Sequence, residues 1–247
     1  MIVLILALAV SFVPCIALYL WLRNRHGRTG DFRKLCSRAL VSGFLCVLPV
    51  ILMSGASYVL LRITGLHKSI PLLYEALYTF IVLALMEEIA KFQVFRRVLR
   101  KTDYPYSWLD VTIILTVVSL GFDIIESLIY AIGATVPVVL VRGICIPHAG
   151  YGFVTGYFYG KGLKTGKPAT KWIGFILSFL LHGLYDFSLS EEFIAINDNL
   201  VFVAVLLAVL DIVLVIMLAV FCRRARKKEI YNEPLAKSAI SGKPEAV

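Results

Sequence analysis

Glu87, Glu88, Lys91, Asp123, Glu126, Arg142, His148, His182 and Asp186 all stand inside long apolar stretches of this chain. An Asp, Lys or Arg at the centre of a bilayer costs about 2.5–3.5 kcal/mol, so a set this large points to chemistry rather than packing. Spacing sorts the residues into groups. Glu87 and Lys91 are i,i+4 and Glu88 and Lys91 are i,i+3, so on a helix one ammonium reaches either carboxylate. His182 and Asp186 are i,i+4, as are Phe122 and Glu126. An ion or proton pathway is open to such a set, and so is hydrolysis by an activated water. Glu87 or Glu88 would act as general base, and His182, oriented by Asp186, would donate to the developing oxyanion or the leaving amine. Glu126 would share the water or hold its partner. Lys91 is expected to neutralise the Glu pair and to snorkel toward the cytoplasm. Arg142 lies six residues before His148 and points elsewhere on an ideal helix, unless Pro147 bends it, so a carboxylate such as Asp123 is its expected partner. Asp211 reads as a lone, lipid-shielded hydrogen-bonding residue. Serine, cysteine and aspartyl mechanisms fit poorly: Ser127 and Cys145 lack a base at a telling spacing, and the carboxylates are mostly glutamate.

The elements that must position these residues follow from composition. Of the 247 residues, 60% are hydrophobic, and the mean hydropathy is +0.85, more than a water-soluble domain hides. Stretches near the ~20 residues a spanning helix needs are Ile2–Trp21, Ala39–Leu61, Ile70–Phe95, Trp108–Ile132, Val136–Tyr159, Trp172–Ser188 and Leu200–Cys222. The predicted fold is an all-α, polytopic membrane helix bundle of about seven transmembrane helices. Residues 1–224 form the membrane domain, with a motif core over about 70–190, and residues 225–247 form a disordered cytoplasmic tail. The net charge of +9 is not a nucleic-acid signature. Basic clusters follow the first, third and fifth spans and open the tail, whereas the alternate loops hold Arg62 and Lys68 alone. That alternation places the N-terminus outside and the C-terminus in the cytoplasm, with the bilayer as the partner of the basic loops. The five cysteines form no CxxC metal site. Gly152, Gly156 and Gly160 recur once per turn on one face, a packing stripe.

The motifs resemble a known family. Glu87-Glu88-Ile89-Ala90-Lys91 matches EExxK, Phe122-Asp123-Ile124-Ile125-Glu126 matches FxxxE, and His182-Gly183-Leu184-Tyr185-Asp186 matches HxxxD. In that order they look like the PrsW family of bacterial intramembrane proteases, as does RGICIPHAGYGFVTGYFYG from Arg142 to Gly160. The resemblance implies a glutamate-type peptidase of the bacterial cytoplasmic membrane. Its substrate would be a membrane-anchored anti-sigma factor, cut first on the extracytoplasmic side. Catalytic roles would fall to Glu87, Glu88, Glu126, His182 and Asp186, with Lys91, Phe122, Arg142 and His148 in support. The family is similar to the CAAX endopeptidases, with motifs EExxxR, FxxxH and HxxxN/D. This chain departs from that second pattern, its lysine coming one residue early and Glu126 standing in place of a histidine. No cofactor is expected. Metal-dependent hydrolysis is the nearest competitor, disfavoured because HExxH is absent and the two histidines lie on different helices. Two further readings are an ion-coupled transporter and a non-catalytic scaffold that binds a partner helix through the glycine stripe.

Overall fold

A computed structural model describes residues 2–25, 30–133 and 136–235. Eight principal helices follow in order: α1 (Ile2–Arg25), α2 (Gly30–Ile63), α3, α4 (Trp108–Gly133), α5 (Val136–Cys145), α6 (Pro147–Thr165), α7 (Pro168–Ser188) and α8 (Val201–Ala225). Helix α3 changes register along its length: α over Pro71–Leu77, π over Tyr78–Leu85, and α again over Met86–Arg100. No strand occurs among the described residues. Gly30–Ile63, Trp108–Ile132 and Asp198–Ala225 are long and apolar enough to cross a membrane.

Helix α4 is the axis of the fold. Its apolar stretch is 78% buried, against 22% for α2 and 17% for the last helix, so α4 is wrapped in protein while the others turn large apolar faces outward. Its start is set locally: Ser107 Oγ accepts from the Asp110 amide, and Asp110 Oδ2 accepts from the Ser107 amide at 2.8 Å, a reciprocal capping box. Around it pack α1, α2 and α6, while α7 and α8 pack on the far side of α6.

Glycines set the closest approaches. A Cβ at Gly43 of α2 would stand 2.1 Å from the Val118 carbonyl oxygen, and one at Gly121 of α4 would stand 2.2 Å from that of Leu40. The Gly152/Gly156/Gly160 stripe does pack against a helix, and that helix is α4 of the same chain, at Ser119, Thr112 and Trp108. The face is covered, which removes the scaffold reading built on it.

Two sequence expectations change here. Val136–Tyr159 is not one helix: the chain breaks at Ile146, with φ 47 in the left-handed region, before α6 begins at Pro147. Proline lacks the N–H a continuing helix needs and disfavours helical geometry in the residue before it. Part of the segment expected as a disordered tail over 225–247 is packed on the helices. Asn232 donates to the Ala225 carbonyl at 2.7 Å, the Leu235 amide donates to the Tyr106 carbonyl at 2.7 Å, and the Tyr231 ring lies 4.6 Å from Trp108. The remainder of that expected tail lies outside the described residues.

Candidate active site

The π segment of α3 prepares the site. An extra residue in the turn changes the phase of the helix immediately before Glu87 and Glu88, a feature frequent at functional sites. Ser54 of α2 donates to the Val82 carbonyl at 2.9 Å, satisfying the disturbed backbone. Phe80 lies over Gly183, where an added Cβ would fall 2.4 Å from the ring, so α7 comes close beside His182.

Glu87, Glu88 and Lys91 of α3, His148 of α6 and His182 of α7 converge, each 6% exposed or less. Lys91 Nζ lies 2.6 Å from Glu88 Oε1 and 3.9 Å from Glu87 Oε2, and it donates to His148 Nδ1 at 2.9 Å. The Phe122 ring lies 4.6 Å beneath it and 5.2 Å from the His148 ring, edge-on. The lysine does neutralise the glutamates, but it does not snorkel: two acceptors, Glu88 and His148, the more distant Glu87 carboxylate and a ring face hold the ammonium inside the protein.

His182 sits among carboxylates. Its Nδ1 is 3.1 Å from Glu88 Oε1, while Nε2 is 3.3 Å from Asp186 Oδ2 and 3.6 Å from Glu87 Oε2. The His148 and His182 rings are 4.9 Å apart and nearly perpendicular. On its other side, His148 Nε2 hydrogen-bonds Glu126 Oε2 and stands 4.0 Å from Asp123 Oδ1. Arg142 Nη2 reaches the same Glu126 oxygen at 2.7 Å, with its guanidinium over the Tyr130 ring at 4.0 Å. Arg142 therefore pairs with Glu126 and not with Asp123. The break at Ile146 is the cause, because it re-aims α5 so that Arg142 and His148 meet on one carboxylate. Asp123 accepts instead from Cys15 Sγ at 3.2 Å.

Sequence reasoning gathered Glu87, Glu88, Lys91, Glu126, Phe122, Arg142, His148, His182 and Asp186, and all of them meet here. It missed Cys15, which has no local signal, and Tyr151, whose ring stacks on His182 at 5.2 Å. The i,i+3 spacing of Tyr151 from His148 was the available clue.

The cluster fits a cation. Ligand atoms of Glu87, His148 and His182 lie within 4.8 Å of one another, as do those of Asp123, Glu126 and His148. Two imidazoles and a carboxylate form a donor set used for catalytic zinc. Glu87 Oε2 is buried and accepts no hydrogen bond, so one ligand oxygen is uncommitted. Carboxyl groups (Glu87, Glu88, Asp123, Glu126, Asp186) also outnumber the fixed cations Lys91 and Arg142, leaving negative charge to balance. That the histidines occupy different helices weighed against a metal in the sequence, and folding removes the objection.

A family model described as PrsW family intramembrane metalloprotease matches residues 32–220. The chain belongs to the PrsW family. It is 30% identical to Protease PrsW of Oceanobacillus iheyensis over 189 residues, covering 74% of this chain and 82% of that one. Protease PrsW of Geobacillus kaustophilus is 31% identical over 160 residues, 62% of this chain and 65% of its own. That of Clostridioides difficile is 25% identical over 194 residues, 74% and 79% of the two chains. No solved structure matches significantly. Membership in the PrsW family makes this membrane protein a peptidase acting on protein substrates.

Proposed function

We propose that Glu87, His148 and His182 form the hydrolytic centre, and that the chain cuts a single-span membrane protein of the anti-sigma factor kind near the outer face of the bacterial cytoplasmic membrane. The reading is carried by the convergence of these three side chains from α3, α6 and α7. Seven spans would be α1, α2, α3, α4, α6, α7 and α8, N-terminus out and C-terminus in, as the basic clusters favour. Helix α5, with 10 residues, extends about 15 Å and is too short to cross. Glu126 lies 18 residues beyond Trp108, about 27 Å along α4, which puts the cluster toward the outer half.

Each group has a task. Glu88 and Lys91 are committed to each other and to the histidines, so they hold the imidazoles in place. Glu87 Oε2 is the uncommitted acceptor and takes the proton of the attacking water. His182, braced by Asp186, faces the developing negative charge. Glu126, held by Arg142, fixes His148. Glu87, His148 and His182 are also the residues that would hold a zinc-type ion; Glu87 would then serve as a ligand in place of its role as base, and the ion would supply a polarised water and Lewis acidity.

The test is co-expression with single-span proteins tagged at both ends. Wild-type protein is expected to yield two fragments, and Glu87→Gln of equal abundance is expected to yield none. Equal cleavage by both would remove Glu87 from the chemistry.

A further inference from the structure

Asp211 takes no direct part in the cluster just described, yet it is a carboxylate 2% exposed and the only ionisable residue between Val201 and Cys222. It accepts a hydrogen bond from the Tyr151 hydroxyl at 3.3 Å. The Tyr151 ring, itself 1% exposed, stacks on His182 with planes 21° apart and meets His148 edge-on at 6.0 Å. We propose that Asp211 is a positioning residue of the peptidase, acting through Tyr151 to fix the plane of the His182 ring; this rests on the hydrolytic role given to His182 above.

The surroundings make Tyr151 a rigid relay. Its carbonyl accepts from Ser178 Oγ at 2.8 Å, and Thr155 Oγ1 donates to Ser178 Oγ at 2.7 Å. Ser178 is one helical turn before His182, so α6 and α7 are pinned where the rings stack. Gly150, next to Tyr151, lets α8 approach: a Cβ there would stand 3.0 Å from Leu214 Cβ. A buried phenol needs a partner for its hydroxyl, and Asp211 is the one that fixes the direction of the ring. His182 in turn must keep Nδ1 toward Glu88 and Nε2 toward Glu87 and Asp186. A small rotation of the imidazole disturbs all three contacts, and misplacements of about 1 Å at a reacting group cost about a hundredfold in rate.

The variants are Asp211→Leu, Tyr151→Phe, their combination, and Asp211→Asn, which keeps an acceptor. Each is reconstituted as the full chain in liposomes with a cleaved single-span substrate. Asp211→Leu and Tyr151→Phe are each expected to lower kcat about 10–100-fold with KM unchanged, the range for outer supporting contacts. The double variant falls no further, and Asp211→Asn recovers most of the loss. Histidine-labelled protein gives a second readout, because the chain has 4 histidines and His182→Gln identifies one set of ring signals. Those signals are expected to shift in Asp211→Leu and Tyr151→Phe and to stay near wild type in Asp211→Asn. Unchanged kcat and unchanged His182 signals, with loss of thermal stability alone, would overturn the proposal and leave Asp211 as helix-to-helix glue. If wild type cleaves nothing, the proteolytic reading fails, and the His182 signals still decide whether Asp211 sets the ring.

Discussion

Replacing Lys91 by Met keeps an unbranched side chain, one atom shorter, and deletes its charge. The ammonium, 1% exposed, lies 2.6 Å from Glu88 and 3.9 Å from Glu87. In Lys91→Met two carboxylates remain buried on adjacent residues without their counter-charge, and His148 Nδ1 loses its donor. Removing one partner of a buried pair costs about 3–5 kcal/mol, and in a chain of this size each kcal/mol moves the midpoint by about 2–4 °C. The expected fall is about 6–20 °C. All five cysteines are free and buried, so a thiol-reactive fluorophore reports unfolding directly in detergent or nanodiscs. Lys91→Met combined with Glu88→Gln removes one charge of each sign and is expected to recover more than half of the fall. Lys91→Met melting within about 2 °C of wild type, or a double variant melting no higher than the single one, would refute the assignment of Lys91 as the counter-ion of the pair.

Other outcomes follow from the same geometry. Gly43→Ala and Gly121→Ala each drive a methyl against backbone across the α2–α4 crossing and are expected to destabilise by about 1–3 kcal/mol or more, read in the same thiol assay. Dialysis against a strong chelator is expected to remove cleavage and added zinc to restore it; full cleavage by protein shown metal-free by elemental analysis would leave the water to Glu87 alone. Zinc bound by wild type is expected to fall about 10–100-fold in affinity or further in Glu87→Gln and His182→Gln, measured by competition with a chelating dye. Truncation before Ile230 removes the Tyr231 ring from Trp108 and the Leu235–Tyr106 hydrogen bond, and is expected to lower the melting midpoint by a few degrees, about 1–2 kcal/mol.

What could be read in the sequence was what one helix carries by itself. Glu88–Lys91 and His182–Asp186 are neighbours because i,i+3 and i,i+4 residues share a face, and both pairs form in the structure. The glycine stripe announced a close approach in the same way. What escaped depends on tertiary placement. The π segment before Glu87 leaves no periodic trace, and its phase change is what brings α3 into register with His182. Ile146 in the left-handed region turns a six-residue offset, which should separate Arg142 from His148, into a shared contact on Glu126. Lys91 does not take the expected direction because snorkelling assumes an empty interior, whereas here Glu88, His148 and the face of Phe122 offer better partners. Cys15 and Tyr151 gave little warning, since one meets Asp123 across 108 residues and the other acts through a ring stack.

Three side chains from three helices, Glu87, His148 and His182, are proposed to make one hydrolytic centre. Its most direct test is cleavage of a single-span substrate in nanodiscs made with ¹⁸O-water, comparing wild type with Glu87→Gln, His148→Gln and His182→Gln variants that bind substrate equally. One ¹⁸O atom is expected in the new carboxyl terminus with wild type, and losses of at least about a hundredfold in each variant. Label-bearing product formed at the wild-type rate by any of the three would contradict it.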